Sequence, residues 1–357
     1  MKKIIFFYLF ILASLSANAA ETFNLYIGSN YIADSTVSRF EKQTNSTLVQ
    51  NFFNDNDEML AKIAAGANGY NAIVATSYAV QQLAMMGKIK PLDKSKLPNL
   101  KYTDPKFLNQ AYDPGNKYSV PYAYNPVFLA YNPEKLKQLG IVPNTWAIIF
   151  DLKYLKPLKG RITVFDSSRH VIAAALLYLG KDPNSSNPAD LQAARKVIEQ
   201  ASPYWAKFDS DSYYRSLLRG DIWVSMAYSI DIYKTLQDIK ASHAKLNLAA
   251  MLQREGNMIE LDNVVIPSFN TNDKLAYSFI NTTLDPQSAY ELSSETGSSI
   301  PNPTAFAKLD PAVKNIDWIY PKDMSKMHAF KAYDPKTRIM VNEMWTEIKM
   351  NGDCGCF

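Results

Sequence analysis

From residue 23 onward the apolar positions switch between strand-like runs and a helical spacing. Phe23 to Ile27 is a short apolar-rich run, and Gly28-Ser29-Asn30-Tyr31 is a polar-aromatic loop at its carboxyl end. Val37 and Phe40 recur at a spacing of three, which marks one helical face behind Asp34 or Ser35 as the expected cap, with Asn45 as the stop. Thr47 to Phe53 is rich in β-formers. Asp55, followed three residues later by Glu58, is a variant capping box; its helix turns Met59, Leu60 and Ile63 inward and stops at Gly66. Ala72 to Ala75 is a third strand ending in Thr76-Ser77-Tyr78, and a helix with Val80 and Leu83 inside runs to Gly87. This alternation predicts an open α/β sheet, where ligands bind beyond the carboxyl ends of the strands. Tyr31 and Tyr78 fall at such ends.

The remainder reads as a second α/β set entered and left by extended chain. Residues 113–132 begin with a Pro-Gly turn and continue as two β-rich runs broken by Pro121 and Pro126, as in a crossing between domains. Lys159 to Phe165 and Ile222 to Tyr228 read as strands, and Arg169 to Leu179 and Ala189 to Glu199 as helices. Val264 to Ile266, ended by Pro267, is a strand that returns the chain to the first domain. Asp273 to Thr283, Gln287 to Glu295 and Asp334 to Met350 are helical in pattern. The expected architecture is α/β with two interleaved lobes: 20–123 plus 263–306, and 124–262 plus 307–357.

Lys2 and Lys3, the apolar run Ile4 to Leu15 and the triplet Ala17-Asn18-Ala19 have the three parts of a secretory signal, with cleavage expected after Ala19. No cysteine lies near that point to carry a lipid anchor, and no other run approaches the ~20 apolar residues of a spanning helix. A free periplasmic protein is expected. Loss of Lys2 and Lys3 lowers the net charge from +4 to +2, which implies neither nucleic acid nor a strongly acidic partner. The two cysteines, Cys354 and Cys356, sit in the tail with one residue between them and read as free or variably oxidised.

Catalytic signatures are sparse. The sequence contains no G-x-G-x-x-G, Walker A, G-x-S-x-G or H-E-x-x-H motif, and its three histidines are His170, His243 and His328. No cofactor and no metal are expected. The 22 tyrosines, several at expected strand ends, instead suit the lining of a cleft.

Eight segments carry a resemblance. SNYIADSTVSRFEKQT (29–44), NDNDEMLAKIAAGANGYNAIVATSY (54–78), LDKSKLPNL (92–100), DPGNKYSVPY (113–122), LYLGKDPNS (177–185), RGDIWVSMAYSID (219–231), REGNMIELDNVVIP (254–267) and GSSIPNP (297–303) resemble, in order and spacing, the periplasmic spermidine/putrescine-binding proteins of bacterial ABC importers. The resemblance covers essentially all of the chain behind the signal. It implies a type II periplasmic-binding-protein fold that closes over a linear polyamine and delivers it to an inner-membrane permease driven by an ATPase, acting as a monomer and not as an enzyme. Carboxylates then pair with ammonium groups while aromatic faces hold the methylenes.

The resemblance assigns ligand contacts to Ser29 and Tyr31 in the first loop, to Tyr78, to Asp231 and to Asp262. Tyr228 stands where the family usually has Trp. Three departures matter most: Gly28 replaces a stacking Trp, His170 replaces a Glu that grips an amine, and Glu260 replaces a Trp, where it supplies a substitute carboxylate. Ser298 also stands where a Tyr is usual. Read from the residues alone, the alternatives are a turn or hinge carboxylate for Asp262, a helix N-cap for Asp231 and a helix-start residue for His170. Two other functions stay open: a carboxylate-bearing solute met by Arg169 or a protonated His170, and an exported hydrolase with a nucleophile and base converging in the cleft.

Overall fold

The computed structural model describes residues 20–242 and 248–352; the expected signal (1–19), His243 and the Cys354 and Cys356 pair lie outside them. The first α/β run is present as β1 (Glu21–Ile27), α1 (Asp34–Thr44), β2 (Ser46–Phe52), α2 (Asn56–Ala64), β3 (Ala72–Thr76) and α3 (Ser77–Met85), with β1 parallel to both β2 and β3. The α2 cap forms as a variant of the capping box: Asp55 accepts from the Glu58 amide at 2.7 Å, while Glu58 accepts from the amide of Asn54, one residue before the N-cap, at 3.0 Å. The expected cap of α1 does not. Its N-cap is Ala33 without a side-chain bond, because Asp34 is already helical and the Ser35 hydroxyl donates instead to Glu295 at 2.6 Å. Asn45 ends α1 in the left-handed conformation, as expected.

The later strands are β4 (Ser119–Tyr131), β5 (Ile162–Val164), β6 (Lys207–Phe208), β7 (Val224–Tyr228), β8 (Ala249–Met251), β9 (Asn257–Val265) and β10 (Met327–Ala329). The two runs of the first crossing are one strand, not two. Pro121 borders a β-bulge, and Pro126 is the last residue of β4 paired with β9 before the strand passes to β7, so neither proline interrupts a regular ladder. The returning strand is also longer than the expected 264–266, since it begins at residue 257, pairs with β10 over 257–259 and pairs with β4 from 259 onward.

One sheet results, in the order β2-β1-β3-β9-β4-β7-β5-β6, with β10 beside β9 and β8 beside β4. The strands β2-β1-β3 belong to the first lobe and β7-β5-β6 to the second, while the antiparallel pair β9 and β4 runs through both. This is the two-lobed, interleaved α/β fold that the sequence predicts. On one face of the first lobe's sheet, Phe23, Leu25 and Ile27 are buried with Phe40, Phe279 and Leu292 from the helices Asp34–Thr44, Asp273–Leu284 and Pro286–Thr296. The opposite face holds Met59, Ile63 and Leu83, and its core continues into the second lobe around Phe128, Phe165 and Ile172. The last helix, Pro335–Gly352, is tied to Pro188–Ala201 by Arg195 and Glu347 at 2.6 Å.

Candidate functional site

Where the carboxyl ends of β1, β3 and β7 meet the middle of β9, the lobes enclose a cavity of about 380 Å³. All eight residues singled out in the sequence line it: Ser29, Tyr31, Tyr78, His170, Tyr228, Asp231, Glu260 and Asp262. The period of two along a strand explains the key pair. Glu260 and Asp262 point to the same side of β9 and into the cavity, while Leu261 points to the other face.

Asp262 is buried between its neighbours. The Tyr31 hydroxyl donates to Asp262 Oδ2, and Asn125 Nδ2 on β4 reaches the same oxygen at 3.3 Å. Tyr31 is itself held by the Tyr122 hydroxyl, which donates to its carbonyl at 2.7 Å. Glu260 Oε1 lies 3.0 Å from His170 Nε2, and the Tyr228 hydroxyl lies 3.3 Å from the same nitrogen. Ser167, at the N-cap of the helix Ser168–Tyr178, turns its hydroxyl to His170 Nδ1 at 2.9 Å instead of capping the backbone. When that hydroxyl donates to Nδ1, the Nε2–H is free to donate to Glu260.

Burial decides the protonation states. Loss of water pushes both carboxyls, Glu260 and Asp262, well above the usual carboxylate range, and their mutual repulsion raises Asp262 further. The same loss pushes His170 down to about 4, so at neutral pH the ring is uncharged and its contact with Glu260 is a hydrogen bond rather than an ion pair. Asp231 is not the helix N-cap. It lies in the first turn of the helix Ser229–Ser242, accepts from the Tyr213 hydroxyl at 2.6 Å, and is raised by burial to about 6. Among the described residues, Glu260, Asp262 and Asp231 form no ion pair with a lysine or arginine, although the Arg169 guanidinium behind Tyr78 offsets part of the rise that burial imposes on Glu260.

The aromatic walls are anchored from behind. Tyr228 stacks on the buried Phe165 with centroids 4.4 Å apart, and Arg169 covers one face of Tyr78 at 3.8 Å. Arg169 is itself sandwiched, with Tyr333 at 4.4 Å and its Nη1 donating to the Lys331 carbonyl at 2.9 Å. The guanidinium expected to meet a carboxylate is therefore behind the wall and not on the cavity. Gly28 does border the cavity, and a Cβ there would meet only Tyr31 Cδ1 at 3.8 Å, so the place where the resemblance implied a Trp is open space. Ser298 is buried and turned to Thr296 at 2.9 Å, away from the lining residues.

Several lining residues escaped the sequence reading. Asn125 is the most consequential, since it joins Tyr31, Asp262 and, through Ser229 at 3.2 Å, the second lobe. An asparagine inside an otherwise apolar strand is the signal that points to it. Asp55 both caps α2 and borders the cavity, beside Asp211 and Tyr214 from the other lobe. A larger recess of about 940 Å³ lies behind β9 on the Leu261 side, but it mixes Lys181 and Lys331 with Asp182 and Glu255 and gathers no buried charge of one sign.

The family of bacterial extracellular solute-binding proteins matches residues 35–320. The chain belongs to this family. It is 38% identical over 352 residues to the putrescine/cadaverine-binding protein of Pseudomonas aeruginosa, covering 98% of this chain and 99% of that protein. It is 30% identical to the putrescine-binding periplasmic protein PotF of Escherichia coli, over 94% of both chains. Among solved structures, the spermidine/putrescine ABC transporter substrate-binding protein PotD of Streptococcus pneumoniae superposes with a TM-score of 0.78 at 25% identity, covering 93% of this chain and all of that one. Among the described residues no group of three or more His, Cys, Asp or Glu is placed to hold a metal, and no helix is long and apolar enough to cross a membrane.

Proposed function

We propose that this protein is the periplasmic solute-binding component of an ABC importer, that it binds a short linear polyamine of the putrescine class between its lobes, and that it acts as a monomer that hands the amine to a permease. The observation that carries the proposal is the pair Glu260 and Asp262, side by side on one face of the strand, Asp262 buried and Glu260 nearly so, neither in an ion pair with a lysine or arginine. Two buried carboxyls are costly when ionised and unpaired, and an ammonium group relieves that cost with charge-assisted hydrogen bonds. Asp231 supplies a further, half-buried carboxyl on the second lobe. Tyr31, Tyr78 and Tyr228 offer aromatic surface to methylenes and to the ammonium charge. The names of the relatives point to the same chemistry.

Neither alternative gains from the site. A carboxylate-bearing solute would meet acids, because Arg169 is withdrawn behind Tyr78. The row Ser167, His170, Glu260 has the composition of a hydrolytic triad, but the Ser167 hydroxyl is buried and absent from the cavity wall. The protein is thus proposed to bind its solute without transforming it.

Thermal melting of purified protein with putrescine, cadaverine, agmatine or spermidine tests the proposal. A rise in Tm with at least one of them, abolished by Asp262→Ala, is expected. No shift with any at about millimolar concentration, where even a Kd of ~10 μM would add ~2.7 kcal/mol of stability, would sink the ligand assignment.

A further inference from the structure

Three consecutive residues at the start of the helix Ser229–Ser242 face three different places. Asp231 lines the ligand cavity, Ile232 is fully buried in the core that continues into the second lobe, and Tyr233 is buried in the first lobe's core with Ile27, Phe40 and Leu292. The helix springs from β7, a second-lobe strand, so Tyr233 reaches across the gap between lobes.

Its landing place is shaped to receive it. Gly297 ends the helix Pro286–Thr296 in the left-handed conformation at φ 74°, and the Tyr233 ring lies against its Cα. A Cβ on Gly297 would overlap Cβ and Cγ of Tyr233 and sit 2.8 Å from Cδ1. The Tyr233 hydroxyl donates to the Ser294 carbonyl at 3.3 Å, in the last turn of the same helix. A second tie lies beside it, where the Ser229 hydroxyl donates to Asn125 Oδ1 at 3.2 Å.

We propose that Tyr233 is a positioning residue for the ligand cavity: docked on Gly297, it latches the two lobes together and holds Asp231 opposite Glu260 and Asp262. The ring does not touch the cavity and acts through the helix turn it shares with Asp231. Only a residue without a Cβ permits the approach, so Gly297 serves both as helix terminator and as socket. With the ring undocked, Asp231 is free to leave with the second lobe, and a ligand held from both sides loses one side. The latch rests on the polyamine reading only for its probe.

The test compares Tyr233→Ala, Tyr233→Phe and Gly297→Ala with wild type for putrescine affinity and dissociation rate, beside ligand-free melting curves. Gly87→Ala is the control for backbone strain, since Gly87 has a similar φ of 65° with nothing within 4 Å of an added Cβ. Tyr233→Ala and Gly297→Ala are expected to weaken binding about tenfold or more, chiefly through faster dissociation, while Tyr233→Phe, which keeps the ring, stays within about threefold. Gly87→Ala binds as wild type whatever its melting point. If Tyr233→Ala and Gly297→Ala melt lower but bind putrescine as wild type does, the residue is merely structural and the latch is overturned. If wild type binds no polyamine, the ligand reading fails by itself, and small-angle scattering decides the latch: a more expanded Gly297→Ala supports it, an unchanged profile overturns it. Should Tyr233→Ala not fold, Tyr233→Leu and Gly297→Ala carry the same comparison.

Discussion

At the scale of single residues, the cavity holds its charge in a strained protonation state. The folded pKa values of Glu260 and Asp262 lie above their unfolded values, so the folded chain keeps protons that the unfolded chain has released. For such groups stability is lost as pH rises from the ordinary carboxylate range, ~4, toward neutrality. His170 works in the opposite sense, because its depressed pKa costs stability only as pH falls below about 6.5. Above that value the carboxyls act alone. Ligand-free Asp262→Asn is therefore expected to melt above wild type at pH 8 while losing the polyamine response, and equal melting points would contradict the buried-charge cost. Binding of a cation favours the ionised pair and so expels protons, so putrescine affinity is expected to rise between about pH 6 and about pH 8 in wild type, measured by titration at each pH, and to rise less in Asp262→Asn. Tyr31→Phe removes a hydroxyl donor from Asp262 and should weaken binding by about 1.5–3 kcal/mol, roughly ten- to hundredfold.

At the scale of elements, what the sequence made visible and what it hid follow from the range of the interactions. Caps and periodicity are local, so α2, with Asp55 and Glu58, was legible to within a residue. Asp55→Ala should cost about 1 kcal/mol of stability and Asp55→Asn only a few tenths, read from denaturant unfolding. The cap of α1 was misplaced because Ser35 bonds a residue more than two hundred positions away, in the helix Pro286–Thr296. The residues missing from the expected β9 pair with β10 and, from 259 onward, with β4, and no local pattern announces that register. The alternation along β9 does place Glu260 and Asp262 on one face, yet the burial that sets their chemistry comes from Tyr31, Asn125 and His170 on three other elements. Asn125 and Tyr233 were missed for the same reason: each looks ordinary in its own segment, and its role exists only where the lobes meet.

At the scale of the whole molecule, the pair β4 and β9 is continuous through both lobes, so on the proposed reading a hinge motion would bend these strands and a ligand in the cavity would be met from either side. Tyr31, Tyr78, Glu260 and Asp262 sit on or near the first lobe and the hinge, whereas His170, Tyr228 and Asp231 come from the second. A ligand touching both sets favours the closed arrangement by its differential affinity. On the proposed reading, the open space at Gly28 leaves out one stacking wall and Glu260 adds a carboxyl, which weights recognition from stacking toward charge. Salt should consequently weaken binding less than it would at an exposed site, because the pair is buried. The most direct measurement is calorimetric titration of putrescine into ligand-stripped protein near neutral pH, with Asp262→Asn in parallel. Saturable binding with a Kd of about 1 μM or tighter in wild type and none in the variant is expected; no heat up to millimolar amine, or equal binding by both proteins, would contradict a buried carboxyl pair as the seat of amine recognition.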